Sequence, residues 1–358
     1  MRIVRYYPRG LVGDGGMTNS VKKWSAAMIR AGDEVVIAYD QGVEPPADTP
    51  IEWIPIPHSG RTRWKVPVGL KNVLNGADLL VLHSGWTFQN IRAGMVARKA
   101  GVRYVLEPRG AYDPHIVRRK RWLKRPWWVL FERRLVQGAH AIHVFFDEER
   151  DHLEALGRRG PFIIASNGVE APAGEVWDGG SGGYFLWLGR FDPEHKGLDT
   201  LLRAVRKLPR RERPDLRLHG PDWHGRKADV GRMIDELGLG EHVTMGPAVY
   251  GADKQRLLVQ AAGFVYPSRW DACPNSVLEA ISLGIPTLVT PYPLGCHLAV
   301  RGGAFLVEGE PESLAAGLRS LGSPKAAAVG ARGAQIARTE LSWDQVARTW
   351  LSQARSLL

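Results

Sequence analysis

The sequence predicts two Rossmann-like, doubly wound α/β domains facing a central cleft, and three observations carry that expectation. A chain of 358 residues exceeds what one ordinary core accommodates. Short apolar runs alternate with longer amphipathic stretches, which is the pattern of βαβ units around a parallel sheet. Midway, residues 168–183 (GVEAPAGEVWDGGSGG) hold six glycines and one proline without periodicity, the composition of a linker or hinge.

In the first half, strands are expected at 2–6, 34–39, 78–82, 103–106, 140–145 and 162–165, each a short apolar run. Helices are expected at 17–30, 87–99 and 147–156. The first strand runs into the turn GDGG (13–16) before the helix at Met17, a common opening for a doubly wound domain. After the glycine-rich stretch, strands are expected at 184–188, 215–219, 242–245, 263–266 and 287–290. Helices there cover 197–208, 227–237, 253–260, 275–283 and 311–321, and an amphipathic segment at 343–357 closes the chain. The expected division is 1–167, a hinge at 168–183, 184–341, and a closing helix at 342–358 that returns to the first domain. Open sheets of this kind bind ligands at the carboxyl ends of their strands.

Composition narrows the function classes. A hydrophobic share of 44% with 24% charged residues argues against disorder. No apolar run reaches the ~18 residues of a membrane span, and MRIVRYYPRG lacks a signal-peptide core. Cys273 and Cys296 allow at most one bridge, so the expected setting is the reducing cytoplasm. The net charge of +11 is unevenly placed: residues 118–134 (RRKRWLKRPWWVLFERR) hold eight Lys/Arg and one Glu. Three readings stay open for that stretch. It is a patch for an anionic membrane surface at the inner face, a site for an acceptor bearing pyrophosphate, or a half-buried helix started by Pro126. In the last case Trp127, Leu130, Phe131 and Leu135 face the core. No nucleic-acid recognition motif accompanies the charge, and nucleic acid is not expected as a partner.

The sharpest chemical signal is PSRWDACPNSVLEAISLG (267–284), where a strand runs through a tight loop into a helix near Asn275. Such a helix tip aims amides and a dipole at its ligand, which suits phosphate. Asp271 and Glu279 lie on that loop and in that helix. Two carboxylates so placed either accept hydrogen bonds from separate hydroxyls of one extended ligand or merely complement the dipole. A second signal is YFLWLGRFDPEHKG (184–197), in which Arg190 and Lys196 follow a strand. They form either a diphosphate clamp or a pair of solvated loop cations. Arg109, in EPRGAYDP, is either an exposed loop cation or a holder of donor phosphate, of an anionic acceptor, or of Asp113. His83 ends the run DLLVLH and is carried, with Asp113, as an acceptor-side candidate. No Asp-x-Asp and no Cys/His cluster has metal-ligand spacing, so no metal or other cofactor is expected.

The motif D-A-C-P-N-S-V-L-E-A (271–280) resembles the E-x7-E region of retaining glycosyltransferases of family 4, which have the GT-B fold and often read E-x-C-P-N-x-x-x-E-A. The G-R-x(n)-K-G pattern at 189–197, about 80 residues earlier, resembles the same family, and the likeness spans nearly the whole chain. The resemblance implies a nucleoside-diphosphate sugar as donor and a hydroxyl of a glycan, lipid-linked or small-molecule acceptor. It implies that Glu279 binds the ribose and that Asp271 contacts the transferred sugar, with Ala272, Cys273 and Asn275 beside it. It also implies that Arg190, Lys196, Ser276 and the Gly15–Gly16 pair meet the diphosphate. Where many members have His-Gly near the reacting carbon, this chain has Arg109-Gly110, and where they have the first Glu it has Asp271. A non-catalytic nucleotide-sugar or glycan binder of the same fold is the alternative reading.

Overall fold

The computed structural model describes residues 1–8, 15–40, 50–172, 174 and 176–357. They form two compact units, Met1–Gly168 with Trp343–Leu358, and Val169–Ser342.

The first unit is built on a seven-stranded parallel sheet of β1 (Arg2–Tyr7), β2 (Glu34–Asp40), β3 (Glu52–Ile56), β4 (Leu79–His83), β5 (Arg103–Glu107), β6 (Ala141–Val144) and β7 (Phe162–Ile164). Their spatial order is β3-β2-β1-β4-β5-β6-β7. The second sheet contains β8 (Tyr184–Leu188), β9 (Asp215–His219), β10 (Val243–Gly246), β11 (Gly263–Tyr266), β12 (Thr287–Val289) and β13 (Phe305–Leu306), ordered β10-β9-β8-β11-β12-β13. Both sheets are wound outward from their first strand in two directions. Each therefore has a switch point beside that strand, where chain ends diverge and a ligand fits.

Strand pleating sorts the side chains of the first sheet into two layers. Val4, Tyr6, Val36, Leu80, Leu82, Leu106 and Ile142 pack with Ile91, Ala97, Leu135 and Val136 on one face. Ile3, Val35, Leu79, Val81, Val105, Ala141 and Ile163 pack with Trp24, Trp343 and Trp350 on the other. The Trp343–Leu357 helix is therefore a structural layer of the first unit. It docks on the edge strand through a side-chain amide that copies a strand partner: Ile164 N donates to Gln353 Oε1 at 2.9 Å and Gln353 Nε2 returns a bond to Ile164 O at 3.0 Å. Arg355 and the amino terminus both close on buried Asp33, at 2.7 Å each.

Part of the glycine-rich stretch expected as a linker or hinge over 168–183 packs on the second unit. The chain leaves the first unit after Gly168, and Trp177 is already tied into the second. Its amide donates to Leu283 O and its indole Nε1 to Ala261 O at 2.8 Å. Several elements went unforeseen, and three of them have a visible physical reason. β3 contains Pro55, which an edge position tolerates because its missing N–H faces away from the sheet. The Pro293–Val300 helix opens on a proline at its first turn. The Ala326–Thr339 helix is made of small residues whose pattern is weak; Gly330 lies so near that a Cβ there would fall 2.1 Å from Gly284 O.

Trp350 is fully buried between the helices and the sheet. Trp350→Ala is expected to cost the first unit about 3–5 kcal/mol. Urea unfolding of the full chain checks this, and a loss below about 1 kcal/mol would mean that the closing helix is dispensable packing.

Candidate functional site

In the second unit the site is set by two loops leaving adjacent strand ends. After β8 the backbone turns at Gly189, whose carbonyl lies against Gly220; a Cβ on Gly220 would sit 1.6 Å from it. The loop then reaches Gly197 at φ +66°, where a Cβ would meet Pro267 O at 1.9 Å. Glycine is required there by both conformation and space. After β11 the second loop is bound to the first: Arg269 N and Ser268 Oγ both donate to His195 O at 3.0 Å. Arg269 also forks onto Asp199 with two bonds of 2.7 Å.

This lacing brings Lys196 and Asp271 together. Lys196 Nζ lies 2.5 Å from Asp271 Oδ2, which also accepts from Tyr266 OH at 2.9 Å and Ser268 Oγ at 3.2 Å. Three donors thus converge on one carboxylate oxygen, while Oδ1 has no hydrogen bond among the described residues. Burial lowers the Lys196 ammonium below its ordinary range, and Asp271 only partly restores it. Burial pushes Asp271 up, but Lys196 and His195 outweigh it and hold the carboxyl below its usual range. The pair is therefore ionised and mutually dependent.

Arg190 is differently placed. Its guanidinium stacks over Trp223 at 4.4 Å, its Nη2 lies 3.4 Å from His195 Nδ1, and its Nε has no partner. His195 itself stacks on Trp270 with rings 4.9 Å apart, and its Nε2 lies 2.6 Å from Trp270 O, which puts the proton on Nε2. Burial, then the charge of Lys196, lowers its pKa to about 4. A neutral imidazole thus presents a lone pair to Arg190. Arg190 has no ion pair to a carboxylate among the described residues.

The Asn275–Leu283 helix begins directly after Pro274, so the amide of Ser276 falls in the first turn, where no intrahelical carbonyl is available to it. One turn on, Glu279 accepts from Lys254 Nζ at 2.8 Å through Oε1. Ala272 is anchored by its carbonyl, which accepts from Leu294 N, and Cys273 is buried. Neither cysteine is in a disulfide among the described residues. His195, Trp223, Lys254, Tyr266 and Ser268 were missed by sequence reading. Trp223 and Lys254 act on Arg190 and Glu279 far along the chain, whereas His195, Tyr266 and Ser268 lie within five residues of Arg190 or Asp271 but belong to no charge or glycine pattern that marks them.

In the first unit the organising group is Glu107 at the end of β5, also missed. It is 1% exposed, and Arg5 Nη2 lies 3.1 Å from both its oxygens. His143 Nδ1 and His83 Nδ1 approach at 2.7 Å and Arg109 Nη2 at 3.1 Å. Arg109, at φ +52°, is thus turned onto Glu107 and, at 3.5 Å, Asn167; it is not paired with Asp113, the expected alternative. Asp113 instead caps the Pro114–Arg118 helix by accepting from His115 N. His83 lies wholly inside the unit, with no exposed surface for an acceptor, and burial lowers its pKa to about 4. Gly15 and Gly16 open the Gly15–Arg30 helix; Gly13 and Asp14 of the preceding turn lie outside the described residues.

The basic stretch also departs from expectation. Pro126 sits inside the Arg121–Trp127 helix and does not start it. Trp127, Phe131 and Leu135 pack on the core, but Leu130 is 58% exposed because Trp128–Glu132 winds as a π-helical turn that widens the register. Among the described residues, no group of three His, Cys, Asp or Glu side chains is arranged to hold a metal ion, and no helix is long and apolar enough to cross a membrane.

Both halves of the chain match known family models. Residues 15–168 match the glycosyl transferase 4-like domain, and residues 180–328 match glycosyl transferases group 1. Solved structures resemble the whole chain. Sucrose-phosphate synthase from Thermosynechococcus elongatus is 17% identical with a TM-score of 0.78, covering 100% of this chain and 99% of its own. HepE from Anabaena, solved with UDP, is 15% identical with a TM-score of 0.77, covering 100% of both chains. The lipopolysaccharide outer core galactosyltransferase WaaB is 14% identical with a TM-score of 0.74, again covering 100% of both. No curated protein matches the sequence significantly.

The His195 imidazole yields a pH prediction. Its folded pKa of about 4 is below the ordinary 6.5, so the unfolded chain binds the extra proton first as pH falls. His195 therefore leaves the second unit's stability intact above about pH 6.5 and removes up to about 3 kcal/mol by pH 4. Wild type and His195→Gln should separate in urea midpoint at pH 7 and converge toward pH 4. A constant gap across that range would contradict the assignment.

Proposed function

The chain belongs to the GT-B glycosyltransferases, and on that premise we propose that it moves a hexosyl-type sugar from a nucleoside diphosphate to an acceptor hydroxyl with retention at the anomeric carbon and without a metal ion. The observation that carries the reading is the state of the two cations after β8. Among the described residues Arg190 meets no carboxylate and is preset by Trp223 and His195, while Lys196 is fixed by one hydrogen bond to Asp271.

In this reading Arg190, Lys196 and the Ser276 amide meet the diphosphate, and Glu279, steadied by Lys254, takes the ribose hydroxyls through its remaining oxygen. Asp271 Oδ1 is left to accept from a hydroxyl of the transferred sugar, with Ala272, Cys273 and Asn275 alongside. Arg109, Gly15 and Gly16 are assigned to the donor phosphate and His83 to a supporting position behind Glu107. The acceptor oxygen attacks the anomeric carbon on the face the diphosphate leaves. The carbon–oxygen bond to phosphate breaks, the new glycosidic bond forms, and the acceptor proton passes to the departing phosphate oxygen. Negative charge grows on that oxygen in the transition state, and fixed cations placed there lower the barrier without a metal. HepE was also solved with UDP-glucose, which makes UDP-glucose the first donor to test here.

Removing Arg190 should cost about 3 kcal/mol of transition-state stabilisation, a fall of about 10²-fold in kcat. Hydrolysis or transfer assayed with UDP-sugars gives the number, and unaltered turnover in Arg190→Ala removes the residue from the mechanism. Turnover should survive EDTA. A rate that disappears with the chelator and returns with Mg²⁺ overturns the metal-free reading.

A further inference from the structure

The Arg118–Arg134 face combines two properties that a water-facing helix rarely combines. Its apolar side chains point outward: Trp122 is 76% exposed, Val129 62%, Leu130 58% and Leu123 43%. Between them stand Arg118, Arg119, Lys120, Arg121, Arg125, Arg133 and Arg134, all exposed, with Lys124 half-buried. None of these eight cations is ion-paired to a carboxylate among the described residues. The sole acid of the stretch, Glu132, has been drawn inside, where it accepts from Trp86 N and Tyr112 OH at 2.7 Å each and from Trp127 Nε1 at 2.9 Å. The fold therefore strips the face of its only countercharge and uses it to pin the inward indole. The cations crowd one another as well: burial, then the charges of Arg119 and Lys120, lowers the Lys124 ammonium below its ordinary range.

Two grooves open between these side chains. One of about 690 Å³ is lined by Arg121, Trp122, Arg125, Pro126, Val129 and Leu130. The other, about 510 Å³, is lined by Trp86, Trp128, Arg118, Arg121, Lys124 and Arg125 among others. Each mixes apolar wall with guanidinium or ammonium, which matches an anionic head group joined to hydrocarbon.

We propose that this face seats the protein on an anionic lipid bilayer, with Trp122, Leu123, Val129 and Leu130 entering the interfacial layer and the surrounding cations meeting lipid phosphates. The commitment to a bilayer over a polyanion in water comes from the exposed aliphatic groups. A nucleic-acid backbone satisfies the arginines but leaves Leu123, Val129 and Leu130 in water, whereas a lipid interface accommodates both. Tryptophan belongs at that depth because its ring is apolar and its N–H is polar.

The inference is independent of the donor site and is tested apart from it. The full chain is sedimented with vesicles of phosphatidylcholine alone or with 30% phosphatidylglycerol as an on-the-order-of physiological anionic fraction. Binding should be at least tenfold stronger on the anionic vesicles and should weaken as salt rises. Trp122→Ser with Leu130→Ser should lower it about tenfold while the melting temperature and the UDP-induced melting shift stay at wild-type values, since both side chains lie in solvent. Brominated lipids should quench the wild type more than Trp122→Phe. Equal binding to neutral and anionic vesicles, no binding to either, undiminished binding by the double variant, or displacement from vesicles by duplex DNA at equal charge overturns the proposal. Loss of the UDP shift with vesicle binding intact would fault the donor reading and leave this one standing.

Discussion

The contact on which the second unit's site depends is the ion pair of Lys196 and Asp271. Lys196 is buried in the loop between a parallel strand and the following helix, where its charge is costly unless compensated. One aspartate oxygen compensates it and is in turn fixed by a tyrosine and a serine hydroxyl. The two loops can approach closely enough for this because Gly197 has no side chain to strike Pro267 and because Ser268 and Arg269 hold the backbone at His195. Each piece is small, but removal of either charge leaves the other buried and unpaired, which costs far more than the pair is worth by itself.

The first unit solves a similar problem with the signs reversed. Glu107 ends its strand as the buried charge, and cations gather around it: Arg5 from β1 and Arg109 two residues on, with the imidazoles of His83 and His143 completing the ring. Arg109 sits in the left-handed region, a conformation costly for a residue with a Cβ, and its bond to Glu107 offsets that cost. In the second unit Lys196 is oriented by Asp271 from the loop after a different strand, whereas in the first Arg109 is held by Glu107 of its own strand, which Arg5 and His143 from other strands of the sheet fix in turn.

This explains which parts were legible in the sequence. Strands with continuous apolar runs, such as FLWL and LLVL, were readable, and so were the two loops whose glycines and charges stand close in the chain. Edge strand β3 was not, because Pro55 breaks the pattern that an edge position forgives. The Ala326–Thr339 helix was not, because small residues chosen for close approach give no strong periodicity. Glu107, Arg5, His143 and Lys254 were silent for another reason. Glu107 meets Arg5 102 residues away and His143 36 away, and Lys254 meets Glu279 25 away, so only the fold brings these groups together. The orientation of the basic stretch was readable for Trp127 and Phe131 and wrong for Leu130, since an α-helical register was assumed where one π turn intervenes.

Asp271 in place of the usual glutamate gains a physical meaning from these contacts. An aspartate one methylene shorter keeps its carboxylate near the loop backbone, within reach of Lys196, Tyr266 and Ser268 at once. A glutamate rooted at the same Cα would carry its carboxylate further out, and Lys196 could not follow without leaving the tyrosine ring it lies over at 5.3 Å. The shorter acid thus trades reach toward a ligand for a tighter hold on the lysine. Among the described residues only Oδ1 is left outside that network. The same pair of loops therefore sets the charge of this part of the second unit and decides which aspartate oxygen the hydrogen-bond network occupies.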